Sequence, residues 1–334
     1  MPTPYELRYR RQDCAQPDVR SNEFIERHLA RKSVRHYDPL RKIAQKQLDY
    51  LFACAQAAPS SSGAGSWSAV VLTTAEEKER FRIASGPVLH GPDIHNTQAF
   101  LDCSAFIIWL ADNYKIQRGI ELVAQGKPSM ASLALLNTRL KPGAESAKPD
   151  WSNLNNLFDA KTHTDLLDQS YYGFRAVHDA TIAAQTFIMC AESLGMNTLY
   201  MGSIAHCNIS SFKQELNLPD RTFPIFGTCI GYEHPDGSDH NGLPRHIEAI
   251  ERFKKHPDWN IKPVMPQRAV VHYGQYCPEV LDDALLEYNE TLTDYFKIVE
   301  PVRPSDYLVA RVTGRVKQAV NHIEQMKSMG NKML

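Results

Sequence analysis

Little in this chain points to a membrane, a metal ion or a polyanion. No stretch approaches the ~18 consecutive uncharged apolar residues that a spanning helix needs, so none is expected. The opening MPTPYELRYRRQD has basic residues but no apolar core behind them. A secretory leader is therefore not expected, and the chain reads as cytoplasmic. Lys plus Arg is 37 and Asp plus Glu is 38, a net charge of −1. Such a balance gives no whole-molecule field favouring nucleic acid or an anionic lipid surface. The 7 cysteines, at positions 14, 54, 103, 190, 207, 229 and 277, are odd in number and widely spaced, with no Cys-x-x-Cys. That argues against a disulfide framework or a structural zinc site. The 13 histidines include no His-Glu-x-x-His, and His206 beside Cys207 is one close pair, not a site. No Gly-x-Gly-x-x-Gly turn follows a strand and no phosphate-binding Gly-x-x-x-x-Gly-Lys-Ser/Thr occurs, so the usual nucleotide fingerprints are missing.

What is present is an ordinary globular composition, 43% hydrophobic and 22% charged over 334 residues. That rules out a disordered chain and suits one large domain or two modest ones. Residues 1–20 read as a polar arm. Helices are expected at 21–31, where Ser21 and Asn22 are candidate caps, and at 44–57, stopped by Pro59. PSSSGAGS at 59–66 is a loop by composition, and WSAVVLT at 67–73 reads as a strand. A short charged helix is expected at 75–85 and an irregular stretch at 86–96, with its two Gly-Pro pairs. AFIIWLA at 105–111 is the continuous apolar run of a strand buried on both faces. Residues 114–170 mix helical pieces with a polar, Pro-bearing section and read as an insertion or lid. The clearest helix spans 176–195. It is apolar on more than one side, so a central helix buried all round is expected, with Gly195 as its stop. Strands at 197–203 and 224–232 flank a helix at 208–216. A last apolar run, AVVHY, lies at 269–273, and amphipathic helices fill 279–300 and 305–328. Few, short strands against much helix argue for a small sheet wrapped by helices, α+β or α/β.

Three clusters carry candidate chemistry. Arg31, Lys32, Ser33 and Arg35 place three cations and a hydroxyl within five residues at a helix end. Arg can grip a phosphate through two parallel hydrogen bonds, to which Lys adds a point charge and Ser a donor. The same residues also suit a solvated basic helix end. Ser60, Ser61 and Ser62 ahead of Gly63 offer hydroxyls and amides for an anion or a heteroaromatic edge, or are a flexible loop. Tyr200, Met201, Gly202 and Ser203 close a strand where Gly202 would let a flat ligand approach the backbone, or where the strand turns a corner.

Taken in order, R-K-S-V-R-H-Y at 31–37, A-A-P-S-S-S at 57–62, D-A-T-I-A-A-Q at 179–185 continuing to A-E-S-L-G-M, L-Y-M-G at 199–202 and P-I-F-G-T-C-I-G-Y at 224–232 resemble the nitroreductase family of flavin enzymes. I-K-P-V-M-P-Q-R-A-V-V-H-Y at 261–273 resembles its branch of NADPH-dependent oxygen-insensitive nitroreductases and FMN reductases. The resemblance covers about 22–112 and 171–300. It implies an α+β fold, a small and mostly antiparallel sheet wrapped by helices, in a domain-extended homodimer with two FMN at the subunit interface. It divides the chain into an arm at 1–20, an FMN-binding domain at 21–275 interrupted by the insertion 114–170, and a helical extension at 276–334. Arg31, Lys32, Ser33 and Arg35 would hold the FMN phosphate and ribityl chain, with Lys262 helping. Ser60, Ser61 and Ser62 would come from the partner subunit. Tyr200, Met201, Gly202 and Ser203 would line the isoalloxazine ring.

The sequence departs from the family pattern where a Gln is usual, since His90-Gly91-Pro92-Asp93 stand there. Val264 replaces the Arg of Lys-Pro-Arg, Ser203 the second Gly of a pair, and Ala205 a basic residue. Gly65 and Ser66 stand where the Ser-rich loop usually has its downstream Gln. His90, Asp93 or His95 could replace the lost polar group. These departures bear more on turnover with NADPH or NADH than on flavin binding. The activity implied is electron transfer from NAD(P)H through FMN to a nitro, quinone or related acceptor. Two alternatives stay open: a specialised flavin dehydrogenase or reductive dehalogenase acting on one metabolite, with the insertion as its lid, and a non-catalytic flavin-binding protein.

Overall fold

Four strands build the sheet: β1 Trp67–Leu72, β2 Ala105–Asp112, β3 Asn197–Met201 and β4 Thr222–Gly231. Their order is β1-β2-β4-β3, and each neighbouring pair is antiparallel. The helices are α1 Pro4–Tyr9, α2 Glu23–Ala30, α3 Gln45–Gln56, α4 Ala75–Ala84, α5 Ile94–Asp102, α6 Tyr114–Ala124, α7 Ser170–Ser193, α8 Ile209–Glu215 and α9 Leu281–Val299. The computed structural model describes residues 3–9, 20–86, 94–125, 170–206, 209–234, 251–252, 254–256, 259 and 261–299, with the side chains of Ser62, His95 and a few others left out. The expectations for His90, Gly91, Pro92 and Asp93, for the insertion beyond α6, and for a helix at 305–328 lie outside the described residues.

The apolar run of β2 is explained by its two faces. Phe106, Ile108 and Leu110 share a core with Phe81 of α4, Phe100 of α5 and Phe212 of α8. Ala105, Ile107 and Trp109 point the other way, onto Leu48 and Leu51 of α3 and Ala183, Ala184 and Phe187 of α7. Every residue of β2 is buried, so alternation with polar residues would strand polar groups in one core or the other. The helix starts obey local chemistry. Asn22 Oδ1 accepts from Ile25 N at 3.0 Å, and Thr74 and Glu77 form a reciprocal capping box on α4. The buried Lys78 ammonium donates to the carbonyls of Leu101 and Cys103, closing the C-terminal end of α5 with a cation.

Several expectations are corrected. The central helix α7 begins at Ser170, not 176, and is not buried all round: Phe174 is 51% and Ile182 41% exposed. A face of this helix therefore looks outward in the single chain. β3 stops at Met201, where the 3-10 turn Gly202–His206 begins. The apolar run AVVHY, given no element above, begins on the last residue of the 3-10 turn Gln267–Ala269 and leaves Tyr273 91% exposed. α5 starts inside the stretch expected to be irregular, and α6 is a regular helix at the head of the insertion, with Ile116 and Ile120 buried.

Beyond β4 the chain pairs with the basic segment that follows α2. Tyr37 bridges Glu233, and its fully buried ring lies against Gly231. A Cβ at Gly231 would fall 2.7 Å from Tyr37 Cδ1 and 3.1 Å from the Ser104 amide nitrogen, so only glycine fits without displacing the ring. Gly231→Ala should lower stability by about 1–3 kcal/mol, as overpacking usually does. Urea unfolding measures this, and a wild-type midpoint would show the Tyr37 pocket to be loose.

Candidate functional site

The basic segment owes its position to a helix end and a sheet edge. At Arg31 the backbone leaves the helix (φ −52, ψ 133) while its N–H still reaches His28 O at 3.2 Å. The chain then runs extended along the sheet. Val34 N donates to Thr198 O of β3 at 3.2 Å, His234 N to His36 O at 3.1 Å, and Asp38 N to Tyr232 O at 2.8 Å. Val34 and Tyr37 are the buried anchors. Between them Arg35 is exposed and His36 half-buried, and Ser33 ahead of Val34 is half-buried too. This stitching carries Arg31, Ser33 and Arg35 to the strand that contains Tyr200.

The four cations near this edge are not equivalent. Among the described residues the Arg31 guanidinium makes no hydrogen bond or ion pair, although its charge acts on Arg8, His28 and Glu192. Arg35 reaches only its neighbour's carbonyl, Ser33 O, at 3.2 Å. Lys32 is instead engaged, its ammonium 2.7 Å from Glu233 Oε1, which His36 Nε2 also meets at 2.8 Å. Burial alone would raise the Glu233 pKa, but the His36 hydrogen bond and the Lys32 charge outweigh it and hold the carboxyl below its usual range. Glu192 of α7 moves the other way. Burial raises it, against the Thr198 hydroxyl at 2.6 Å and the Arg31 charge. Burial, then the charges of Arg31 and Arg8, lower the His28 pKa, and His28 Nδ1 is a buried nitrogen with no partner. Lys262 is exposed, and its backbone carbonyl accepts from Arg8 Nη1 at 3.0 Å.

The end of β3 supplies a different surface. Tyr200 is 55% exposed and its ring packs on Phe226 at 4.7 Å between centroids. Met201 points inward, 3.5 Å from Cys229 Sγ in the buried core, so it presents main chain rather than side chain. Gly202 and Ser203 are half-buried. A Cβ on Gly202 would come 3.1 Å from the Tyr200 ring. A cation cluster without an internal anion at Arg31, an orphaned imidazole nitrogen and a bare backbone beside an aromatic ring together fit a flat ligand carrying a phosphate.

The serine loop is held elsewhere. Asp179 of α7, 2% exposed, accepts from Ser61 N at 2.9 Å through one oxygen and from Ser66 N at 3.1 Å through the other. Arg175 Nη2 donates to Ser61 O at 3.0 Å, and Ser60 Oγ accepts from Gly65 N at 3.1 Å. Asp179 lies near the middle of α7 and Glu192 in its last turn. At 1.5 Å per residue they are about 20 Å apart. The structure thus brings Arg31, Ser33, Arg35 and the Tyr200–Ser203 turn together and, through Arg8, the Lys262 backbone. It does not bring Ser60 and Ser61 to them within one chain. Sequence reasoning assigned no role to Arg8, Asp179, Glu192 or Glu233. Asp179 and Glu192 stand inside a quoted motif, but the partners of Arg8, Asp179 and Glu233 lie in distant parts of the chain that no local pattern marks.

A profile of the nitroreductase family matches residues 29–232. Among curated proteins, the oxygen-insensitive NADPH nitroreductase of Salmonella typhimurium is 33% identical over 123 residues, which cover 36% of this chain and 40% of that protein. The FMN reductase (NADPH) of Bacillus subtilis is 23% identical over 279 residues, covering 83% and 84%. Of solved structures, a nitroreductase from B. subtilis superposes with a TM-score of 0.64 at 20% identity, covering 92% of this chain and 98% of that one. The NADPH:FMN oxidoreductase of Vibrio harveyi complexed with NAD+ gives 0.58 at 20% identity, with the same coverage. These two likenesses establish a shared fold.

The Glu233 pair yields a pH-dependent prediction. Its folded pKa lies below the unfolded value near ~4.3. The stabilisation is therefore complete above that range and is lost as pH falls through the lowered folded value. Glu233→Gln should cost about 1 kcal/mol at neutral pH, and the gap to wild type should narrow as pH falls through and below the usual carboxylate range. Chemical unfolding across that range checks it; a gap that persists in acid would show that the charge is not what matters.

Proposed function

The chain belongs to the nitroreductase family, and on that footing we propose that it is an FMN-dependent oxidoreductase taking electrons from NAD(P)H and passing them to a small acceptor such as a nitro compound or a quinone. The observation that carries this reading is the Val34–Thr198 hydrogen bond. It fixes an unneutralised basic segment beside the strand end that offers an exposed aromatic ring and a bare glycine backbone. Arg31, Ser33, Arg35 and Lys262 would hold the phosphate and ribityl chain. Tyr200, Gly202, Ser203 and the main chain of Met201 would border the ring. Bound FMN supplies the hydride and electron transfer, and the protein supplies position and electrostatics. Arg31 and Arg35 would offset the negative charge of the phosphate. Lys32, tied to Glu233, sets the course of the segment and contributes less charge to the cofactor.

The complete site in this reading needs two chains. Asp179 and Arg175 hold the serine loop about 20 Å along α7 from the basic segment. The loop would therefore serve a second flavin, with the partner subunit's Ser60, Ser61 and Ser62 serving the first. The outward residues Phe174 and Ile182 of α7 and the exposed Val270, Tyr273, Tyr276 and Leu286 supply apolar surface for that contact. The extension from 276 would wrap the partner.

The purified protein should show a flavin absorbance band that bleaches when NADPH or NADH is added without oxygen. Replacing both Arg31 and Arg35 by Ala removes two charged hydrogen-bond donors at roughly 1.5–3 kcal/mol each. FMN affinity should fall on the order of a hundredfold or more. A double variant that keeps a full flavin load would overturn the phosphate assignment. In sedimentation the flavin-loaded protein should run as a dimer, and a flavin-loaded monomer would overturn the shared site.

A further inference from the structure

Arg8 lies in the N-terminal arm, ahead of the family match that begins at residue 29. Its guanidinium nevertheless reaches two separate segments through three hydrogen bonds, the end of α2 and the chain at 262. Nε donates to Leu29 O at 2.7 Å, Nη1 to Lys262 O at 3.0 Å, and Nη2 to Arg31 O. The arm is held in return, since Val264 N donates to Arg8 O at 3.1 Å. The N-terminal arm and the segment at 262–264 thus meet at the root of the basic segment.

The location matters because of the helix that precedes it. α2 ends at Ala30 with Arg31 as its cap. The last carbonyls of a helix are unsatisfied and carry the negative end of its dipole, the wrong end at which to place an anion. Arg8 takes two of those exposed oxygens, Leu29 O and Arg31 O, into hydrogen bonds with a cation. It does so from α1, so the cap is tertiary rather than local. Three of its five N–H groups are spent on carbonyls. It is therefore placed to orient its neighbours rather than to grip a ligand itself.

We propose that Arg8 is a positioning residue for the phosphate site: by neutralising the C-terminal end of α2 and tying the Arg31 backbone to the Lys262 backbone, it turns a helix end that would repel an anion into one that accepts it. The inference rests on the phosphate reading given above and goes beyond it, because it makes the arm part of the cofactor site.

The test compares two ligands that differ only in the phosphate. Apo-protein is titrated with FMN and with riboflavin, following flavin fluorescence, for wild type, Arg8→Ala and Arg8→Lys. Wild type should bind FMN more tightly than riboflavin. Arg8→Ala should lose about tenfold or more of its FMN affinity with riboflavin affinity unchanged. Arg8→Lys, which keeps a charge but not the three-way fork, should fall between. A merely structural role would weaken both ligands together and leave their ratio intact, and that result overturns the proposal, as does loss of the fold in both variants. If wild type itself does not distinguish FMN from riboflavin, the phosphate reading fails. If wild type and both variants distinguish them equally, the phosphate reading stands and the role of Arg8 falls.

Discussion

The geometry of the site hangs on the seating of Tyr37 in the notch above Gly231. The ring is fully buried, and its hydroxyl donates to Cys229 O at 3.3 Å. With Val34 it nails an otherwise polar segment to the outer sheet edge, and the three backbone hydrogen bonds with Thr198, His234 and Tyr232 follow from that seating. An extended segment with no strand of its own would otherwise lose its conformational entropy without return. Here two buried side chains and an edge pairing offset that cost. Arg35 between them and Arg31 just ahead of them acquire fixed positions although their guanidinium groups contact little themselves.

Charge is distributed along this edge with a division of labour. Of the cations at 31, 32 and 35, the middle one is paired to Glu233 and helps lock the segment, and the outer two are left for something external. Glu192 lies behind Arg31, buried and satisfied by Thr198, where it tempers the positive field without closing an ion pair. Arg8 takes up the opposing helix-end oxygens from below. The result is a concentrated positive surface on a chain whose net charge is −1, so attraction of an anion is local to the site rather than a property of the whole molecule.

The long helix α7 links this edge to the other half of the chemistry. Its last turn holds the half-buried Glu192 near Arg31, and its middle presents Asp179 to two amides of the serine loop. A rigid helix of this length fixes the separation of the two clusters. In the proposed reading, the outward apolar residues on α7 and near the C-terminal segment are what bring a second chain to complete each site. The departure of α7 from the expected all-round burial is thus in keeping with a shared site.

Much of this was legible in the residues. The doubly buried strand β2 follows from an unbroken apolar run, the cap at Asn22 from a side chain that bonds to a nearby amide, and the basic and Tyr-Met-Gly-Ser clusters from adjacent residues. Each is a local signal, carried by neighbours in the chain. What joins them is not local. Lys32 finds Glu233 201 residues away, Ser61 finds Asp179 at 118, and Arg8 finds Lys262 at 254. No periodicity or spacing marks such partners, because a hydrogen bond between distant segments depends on where the sheet and α7 place them and leaves no pattern in the intervening residues. The sequence by itself determined which residues could carry charge to a ligand and which strands could be buried. Only the tertiary structure decided which of those charges were already neutralised, which helix end needed a cation, and that one chain holds the two halves of its candidate site apart, since each of these is settled by packing between segments that the chain brings together only when it folds.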